Sequence, residues 1–118
     1  MINLVHKPYY FVIIIEPHEA PTNVDVEVEG STKATMSWQP PPFEHQNGPI
    51  DHYSLIISDT YFGLGDIHII TSNLTYTVTG LEEFNSYSFV VAAATIVDIG
   101  PYSSPINFTT FEDGMHAT

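Results

Sequence analysis

Apolar and polar positions alternate along most of the chain, in short stretches separated by turn residues. From Asn23 to Glu29, Val24, Val26 and Val28 alternate with Asp25, Glu27 and Glu29. Successive side chains of a strand point to opposite faces, so this stretch predicts a strand with one apolar and one acidic face. Gly30-Ser31-Thr32 turns the chain into a second strand, Lys33 to Gln39, with Ala34, Met36 and Trp38 inward. Pro40-Pro41-Pro42 ends it, because residues without amide donors cannot continue a ladder. A turn at Asn47-Gly48-Pro49 leads through Ile50 into a third strand, where Tyr53, Leu55 and Ile57 share the inward face. Ser58 to Asp66 reads as a loop, Ile67 to Thr71 as a short strand, and Thr75 to Leu81 as another with Tyr76 and Val78 inward. Ser86 to Thr95 is the longest strand, with Tyr87, Phe89, Val91 and Ala93 inward. Gly100-Pro101 predicts a turn before a last strand near Pro105 to Thr110, with Ile106 and Phe108 inward. No stretch has a sustained helical period or a capped helix start. Seven short strands at this spacing predict an all-β sandwich.

The flanks differ from this pattern. Glu16-Pro17-His18-Glu19-Ala20-Pro21 is polar and twice broken by Pro, which reads as a linker. Residues 1–19 are therefore expected to be an N-terminal extension with its linker, 20–111 the domain, and 112–118 a linker or tail. The longest apolar run, Tyr9 to Ile15, is too short to cross a bilayer. Pro8 ahead of it and Glu16-Pro17-His18-Glu19 behind it disfavour a signal peptide.

Composition narrows the function. The 118 residues suit one domain, and 43 % hydrophobic and 13 % aromatic content exclude a solvated acidic tail. Fourteen acidic residues face two lysines and no arginine, for a formal charge of −12. Contacts to phosphate need Lys and Arg, so nucleic acid is not an expected partner, and anionic lipid is disfavoured for the same reason. The absence of cysteine excludes a disulfide framework, a Cys-ligated zinc site and a thiol nucleophile. No nucleophile elbow, zinc-protease helix, P-loop or dinucleotide fingerprint occurs, and Gly63-Leu64-Gly65 reads as a turn. Asp51-His52 and Asp66-Ile67-His68 are the nearest metal candidates, but two ligands do not make a site. No catalytic residue, metal or cofactor is therefore assigned.

Several marks occurring in order resemble the fibronectin type III family. These are Ala20-Pro21-Thr22-Asn23-Val24, Trp38 before Pro40-Pro41-Pro42, and Asn47-Gly48-Pro49-Ile50 with Tyr53. Tyr76-Thr77-Val78-Thr79-Gly80-Leu81 with Tyr87, and Gly100, Ser103, Ser104 and Thr109-Thr110, complete the set. The strands look most like modules of tandem arrays in receptor-type tyrosine phosphatases and similar cell-surface proteins. The resemblance implies an immunoglobulin-like β-sandwich of seven strands in two antiparallel sheets, A-B-E and C′-C-F-G. It places Trp38 in the core and ties the Tyr87 hydroxyl to backbone near Leu81, all three residues being structural. It also opens two readings of Tyr9 to Ile15: the last strand of a preceding module, or an arbitrary extension.

Strand phase then singles out one surface. His52, Ser54 and Ile56 point outward on the third strand, and Ser88, Val90, Ala92 and Ala94 on the sixth. The resemblance makes these strands neighbours, so His52, Ile56, Val90 and Ala92 are expected to form a partly apolar, uncharged face open to a protein partner. Two sequons, Asn73-Leu74-Thr75 and Asn107-Phe108-Thr109, are glycosylation candidates if the domain is secreted. The Arg-Gly-Asp tripeptide and the Trp-Ser-x-Trp-Ser signature are absent. The leading expectation is a non-catalytic extracellular module for protein recognition or adhesion, with a protein or neighbouring modules as partners. The alternatives are a structural spacer without a ligand and a cytosolic member of the family.

Overall fold

Eight strands carry the alternation in a computed structural model that describes residues 13–60 and 65–113. The upstream part of the Tyr9 to Ile15 run, the Gly63-Leu64 pair and the tail beyond Asp113 lie outside the described residues. The strands are β1 (Thr22–Val28), β2 (Ala34–Gln39), β3 (His52–Asp59), β4 (Asp66–Thr71), β5 (Thr75–Val78), β6 (Ser86–Ala94), β7 (Ile99–Tyr102) and β8 (Ile106–Thr109). They form two antiparallel sheets, one ordered β1-β2-β5 and one ordered β4-β3-β6-β7, with β8 also paired to β6. A 3-10 turn, Phe43–His45, follows the Pro40-Pro41-Pro42 stop. It was not expected from the sequence.

The eighth strand arises because the last strand is interrupted. β7 and β8 pair with successive parts of β6, at Ala92↔Tyr102 and Ala94↔Ile99, then from Phe89↔Ile106 to Ser86↔Thr109. Between them Ser103 donates its N–H to Val91 O at 2.8 Å, and the Val91 N–H donates to Ser103 Oγ at 3.0 Å. The serine side chain thus stands in for a backbone acceptor. Gly100-Pro101, expected as a turn, lies inside β7. Proline is tolerated there because β7 is an edge strand, where a missing donor need not break a ladder. The reversal instead occurs at Thr95–Asp98, closed by Thr95 N–H to Asp98 O at 3.1 Å and Ile99 N–H to Asp98 Oδ1 at 2.7 Å.

The core lies between the sheets and follows the inward phase read from the sequence. Ala34, Met36, Leu55, Ile57, Phe89, Val91 and Ala93 are fully buried. Val24, Val26 and Val28 pack against this cluster half-buried. Trp38 is 1 % exposed, with Tyr53 edge-on at 5.6 Å and Phe89 at 6.2 Å. Its Nε1 has no hydrogen-bond partner among the described residues. An unpaired buried donor costs about 1–3 kcal/mol, whereas burying an indole contributes about 4–6 kcal/mol by area, so packing outweighs the loss.

Polar bonds close the opposite end of the sandwich. The Glu82 N–H donates to Tyr87 Oη at 2.8 Å, beside buried Leu81, and the Tyr87 ring stacks on Phe108 at 5.6 Å. Buried Asn85 and Thr110 bond to each other, and Thr110 Oγ1 donates to Glu82 O at 2.7 Å. Asn85 Nδ2 reaches Asp59 Oδ2 at 3.1 Å, which ties this corner to the end of β3.

Burial raises the Tyr53 phenol above its ordinary pKa of 10.0, because the phenolate would be desolvated in the core. The folded state therefore holds this proton more tightly than the unfolded chain, and stability is lost as pH rises past the unfolded value. Urea midpoints are expected to fall above pH 10, and Tyr53→Phe is expected to flatten part of that decline. An unchanged alkaline slope in Tyr53→Phe would assign the decline to other groups.

Candidate functional site

Cross-strand register determines which residues meet on the outer side of the five-stranded sheet. One row reads Ile70, Ser54, Ala92, Tyr102 across β4, β3, β6 and β7. The next reads His68, Ile56, Val90, and a third reads Asp66, Ser58, Ser88, Asn107. At the other end His52 pairs with Ala94, and Ala94 with Ile99. The only carboxylate in these rows is Asp66. The outer side of the other sheet is different in kind. There Asp25 and Glu27 lie opposite Ser37 and Thr35, and Thr35 Oγ1 donates to Glu29 Oε1 at 2.6 Å.

The four residues expected on the neutral face have different degrees of exposure. Ile56 and Val90 are half-buried and directly paired across β3 and β6. His52 is half-buried with its Nδ1 2.9 Å from Asp51 Oδ2. Ala92 corrects the expectation, since its exposure is 0 %. The reason is Tyr102. Its Oη sits 3.0 Å from Ser54 Oγ, two strands away, so the ring lies across the intervening Ala92. Ser54, at 8 %, is covered by the same bond. Ala92 therefore supports the face and offers no contact area.

Two residues missed from the sequence supply that area instead. Ile70 is 64 % exposed and Tyr102 39 %. Ile70 was legible in principle, since it alternates with inward Ile69. Tyr102 was hidden by reading Gly100-Pro101 as a turn. Asp66 and His68, the weak metal pair of the sequence, share the outer side of β4. No group of three potential ligands that could hold a metal ion occurs among the described residues. Asn107 is exposed on the third row, and Asn73 is exposed in the β4–β5 turn.

These features define an immunoglobulin-like β-sandwich module: two antiparallel sheets, a buried tryptophan between them and a tyrosine-anchored corner. The model of the fibronectin type III domain matches residues 19–109, and the chain belongs to that family. Over 97 residues it is 39 % identical to the netrin receptor DCC of Homo sapiens, covering 81 % of this chain and 6 % of the relative. Over 98 residues it is 34 % identical to the tyrosine-protein phosphatase Lar of Drosophila melanogaster, covering 82 % of this chain and 5 % of the relative. The chain thus matches a small part of much longer proteins. A crystal structure of chicken CNTN1 FN1–FN3 domains superposes with a TM-score of 0.71 at 22 % identity, over 81 % of this chain and 32 % of that one. The module is of the non-catalytic kind that cell-surface receptors carry in series.

The geometry separates supporting from contacting residues by stability. Tyr102→Ala removes the cover of Ala92 and a hydrogen bond, and is expected to lower unfolding free energy by about 1–2 kcal/mol. Ile70→Lys changes an exposed position and is expected to stay within about 0.5 kcal/mol. Urea denaturation checks both. A larger loss from Ile70→Lys than from Tyr102→Ala would contradict the assignment.

Proposed function

We propose that the domain is an extracellular recognition module of a longer cell-surface protein and that the neutral face of the five-stranded sheet is its contact surface. The observation that carries this reading is the segregation of charge. Ile56, Ile70, Val90 and Tyr102 lie on the outer side of one sheet, in pairing rows whose one carboxylate is Asp66, with Asp51 at the margin beside His52, in a chain with a formal charge of −12. A partly apolar surface in a strongly acidic domain is where a protein partner loses least on desolvation. The likeness to the netrin receptor DCC supports the same reading. The partner is a protein surface with an apolar centre.

The test is binding of the multimerised domain to cells, read by flow cytometry. Ile56→Lys combined with Ile70→Lys is expected to lower binding at least about tenfold, because lysine cannot be desolvated cheaply at a contact centre. Asp25→Asn with Glu27→Gln, on the other sheet, is expected to leave it unchanged. Equal binding by all variants, or none by the parent domain, would favour a spacer without its own ligand. Glycan mapping after secretion gives a second check. Asn73 is expected to be occupied and Asn107 free, since a glycan on Asn107 would shield the third row.

A further inference from the structure

Residues Ile13–His18, read from the sequence as part of an extension and linker, are bonded across one end of the sandwich. The Ile15 N–H donates to Asn47 O at 3.1 Å, and Ile15 O accepts from Thr95 Oγ1 at 2.8 Å. Asn47 Nδ2 donates to Glu16 O at 3.1 Å, and the His18 N–H donates to His45 O at 2.8 Å. The backbone of this segment is thus satisfied by two separate loops, one before β3 and one after β6. Pro17 is fully buried, although proline is mostly an exposed residue. His45 Nε2 also stands 3.0 Å from Glu19 Oε2, a half-exposed pair that adds attraction when the imidazole is protonated.

The body of the domain is shaped to receive this segment. A Cβ on Gly48 would lie 2.7 Å from Ile14 Cγ2, and one on Gly100 would lie 2.7 Å from Pro17 O. Gly48 has a φ of 143°, which favours glycine for its own backbone. Gly100 has no positive φ. Its missing side chain is accounted for by the close passage of Pro17 alone.

We propose that Ile13–His18 is a seated strap that fixes the direction in which the preceding chain arrives, so that the joint to a preceding module is rigid. The proposal rests on the reading of the domain as one module of a series. Free linkers pay conformational entropy whenever two modules adopt one orientation, and a strap bonded at four points has already given up that freedom.

The chain has no cysteine, so Ile13→Cys with Thr77→Cys provides two unique spin-label sites on the full chain. Both positions are exposed, and Thr77 lies on β5, away from the strap. Double electron–electron resonance is expected to give one narrow distance distribution. Gly100→Ala is expected to widen it at least about twofold and to speed exchange of the Ile15 amide at least about tenfold. Thr95→Val, which keeps shape and removes the donor to Ile15 O, is expected to act in the same direction. Trp38 fluorescence confirms that each variant remains folded. A broad distribution in the parent chain would overturn the proposal. So would a width and an Ile15 exchange rate that neither substitution changes. A fixed strap in a domain whose face variants bind normally would overturn the recognition reading alone, and a loose strap with the binding loss intact would overturn the joint alone.

Discussion

The pairing of β3 with β6 is the constraint from which both the core and the candidate face follow. It runs without interruption from His52↔Ala94 to Asp59↔Tyr87. Because side chains alternate with a period of two, this one register sends Tyr53, Leu55, Ile57, Phe89, Val91 and Ala93 inward together. The same register sends Ser54, Ile56, Ser58, Ser88, Val90 and Ala92 outward. A slip of one residue on β6 would put Phe89 and Val91 on the outer side and leave Trp38 without its second aromatic neighbour. The cost of such a slip is several buried side chains at about 1.5–3 kcal/mol each, so the register is strongly specified. The outer face is therefore as precisely placed as the core, although it contributes much less to stability.

Electrostatics explains why the two sheets present different chemistry. All but two of the charged side chains in this chain are negative, and like charges brought together oppose folding. On the β1-β2-β5 sheet the carboxylates lie among hydroxyls that can donate to them. Thr35 Oγ1 donates to Glu29, with Thr77 Oγ1 2.8 Å away. The other sheet has Ser54, Ser58 and Ser88 outward, Ser54 covered by the Tyr102 hydroxyl and Ser58 and Ser88 in the row next to Ile56 and Val90, with Asp66 exposed at the end of that row. The acidic composition disfavours phosphate as a partner through its sign. Its distribution leaves the rows around Ile56 and Val90 with little charge to be stripped of water on association.

Sequence periodicity made the strands, their inward residues and Trp38 legible because alternation encodes burial directly wherever one face of a strand is solvated. The fibronectin type III resemblance supplied the pairing that periodicity cannot, since partners such as Tyr53 and Ala93 are distant in the chain. What stayed hidden depended on neighbours brought together by folding. Ala92 reads as an outward residue and is one, yet the Tyr102 ring covers it from the next strand. Gly100-Pro101 carries the composition of a turn, but at a sheet edge proline can remain in a strand, and the glycine accommodates a close approach from Pro17. The polar segment around Glu16 and Pro17 looks like a free linker because its bonds use backbone groups, which leave no mark in side-chain pattern.

The face and the strap are connected through the same two strands. Thr95, which holds Ile15 O, directly follows β6, and Asn47, which holds both Ile15 and Glu16, lies in the loop that opens into β3. β3 and β6 are the central pair of the sheet that carries Ile56, Val90 and Tyr102. Motion of the strap relative to the face would have to break bonds to the loops or distort the most extensively paired ladder in the domain. Loops usually decouple neighbouring elements, since they are the mobile parts of a fold. Here two loops are pinned at one end by strands and at the other by the strap. Residues 15–18 and the outer side of the β3–β6 pair are thus tied to the same two strands, so that under the proposed strap the direction of the incoming chain and the direction of that face go together.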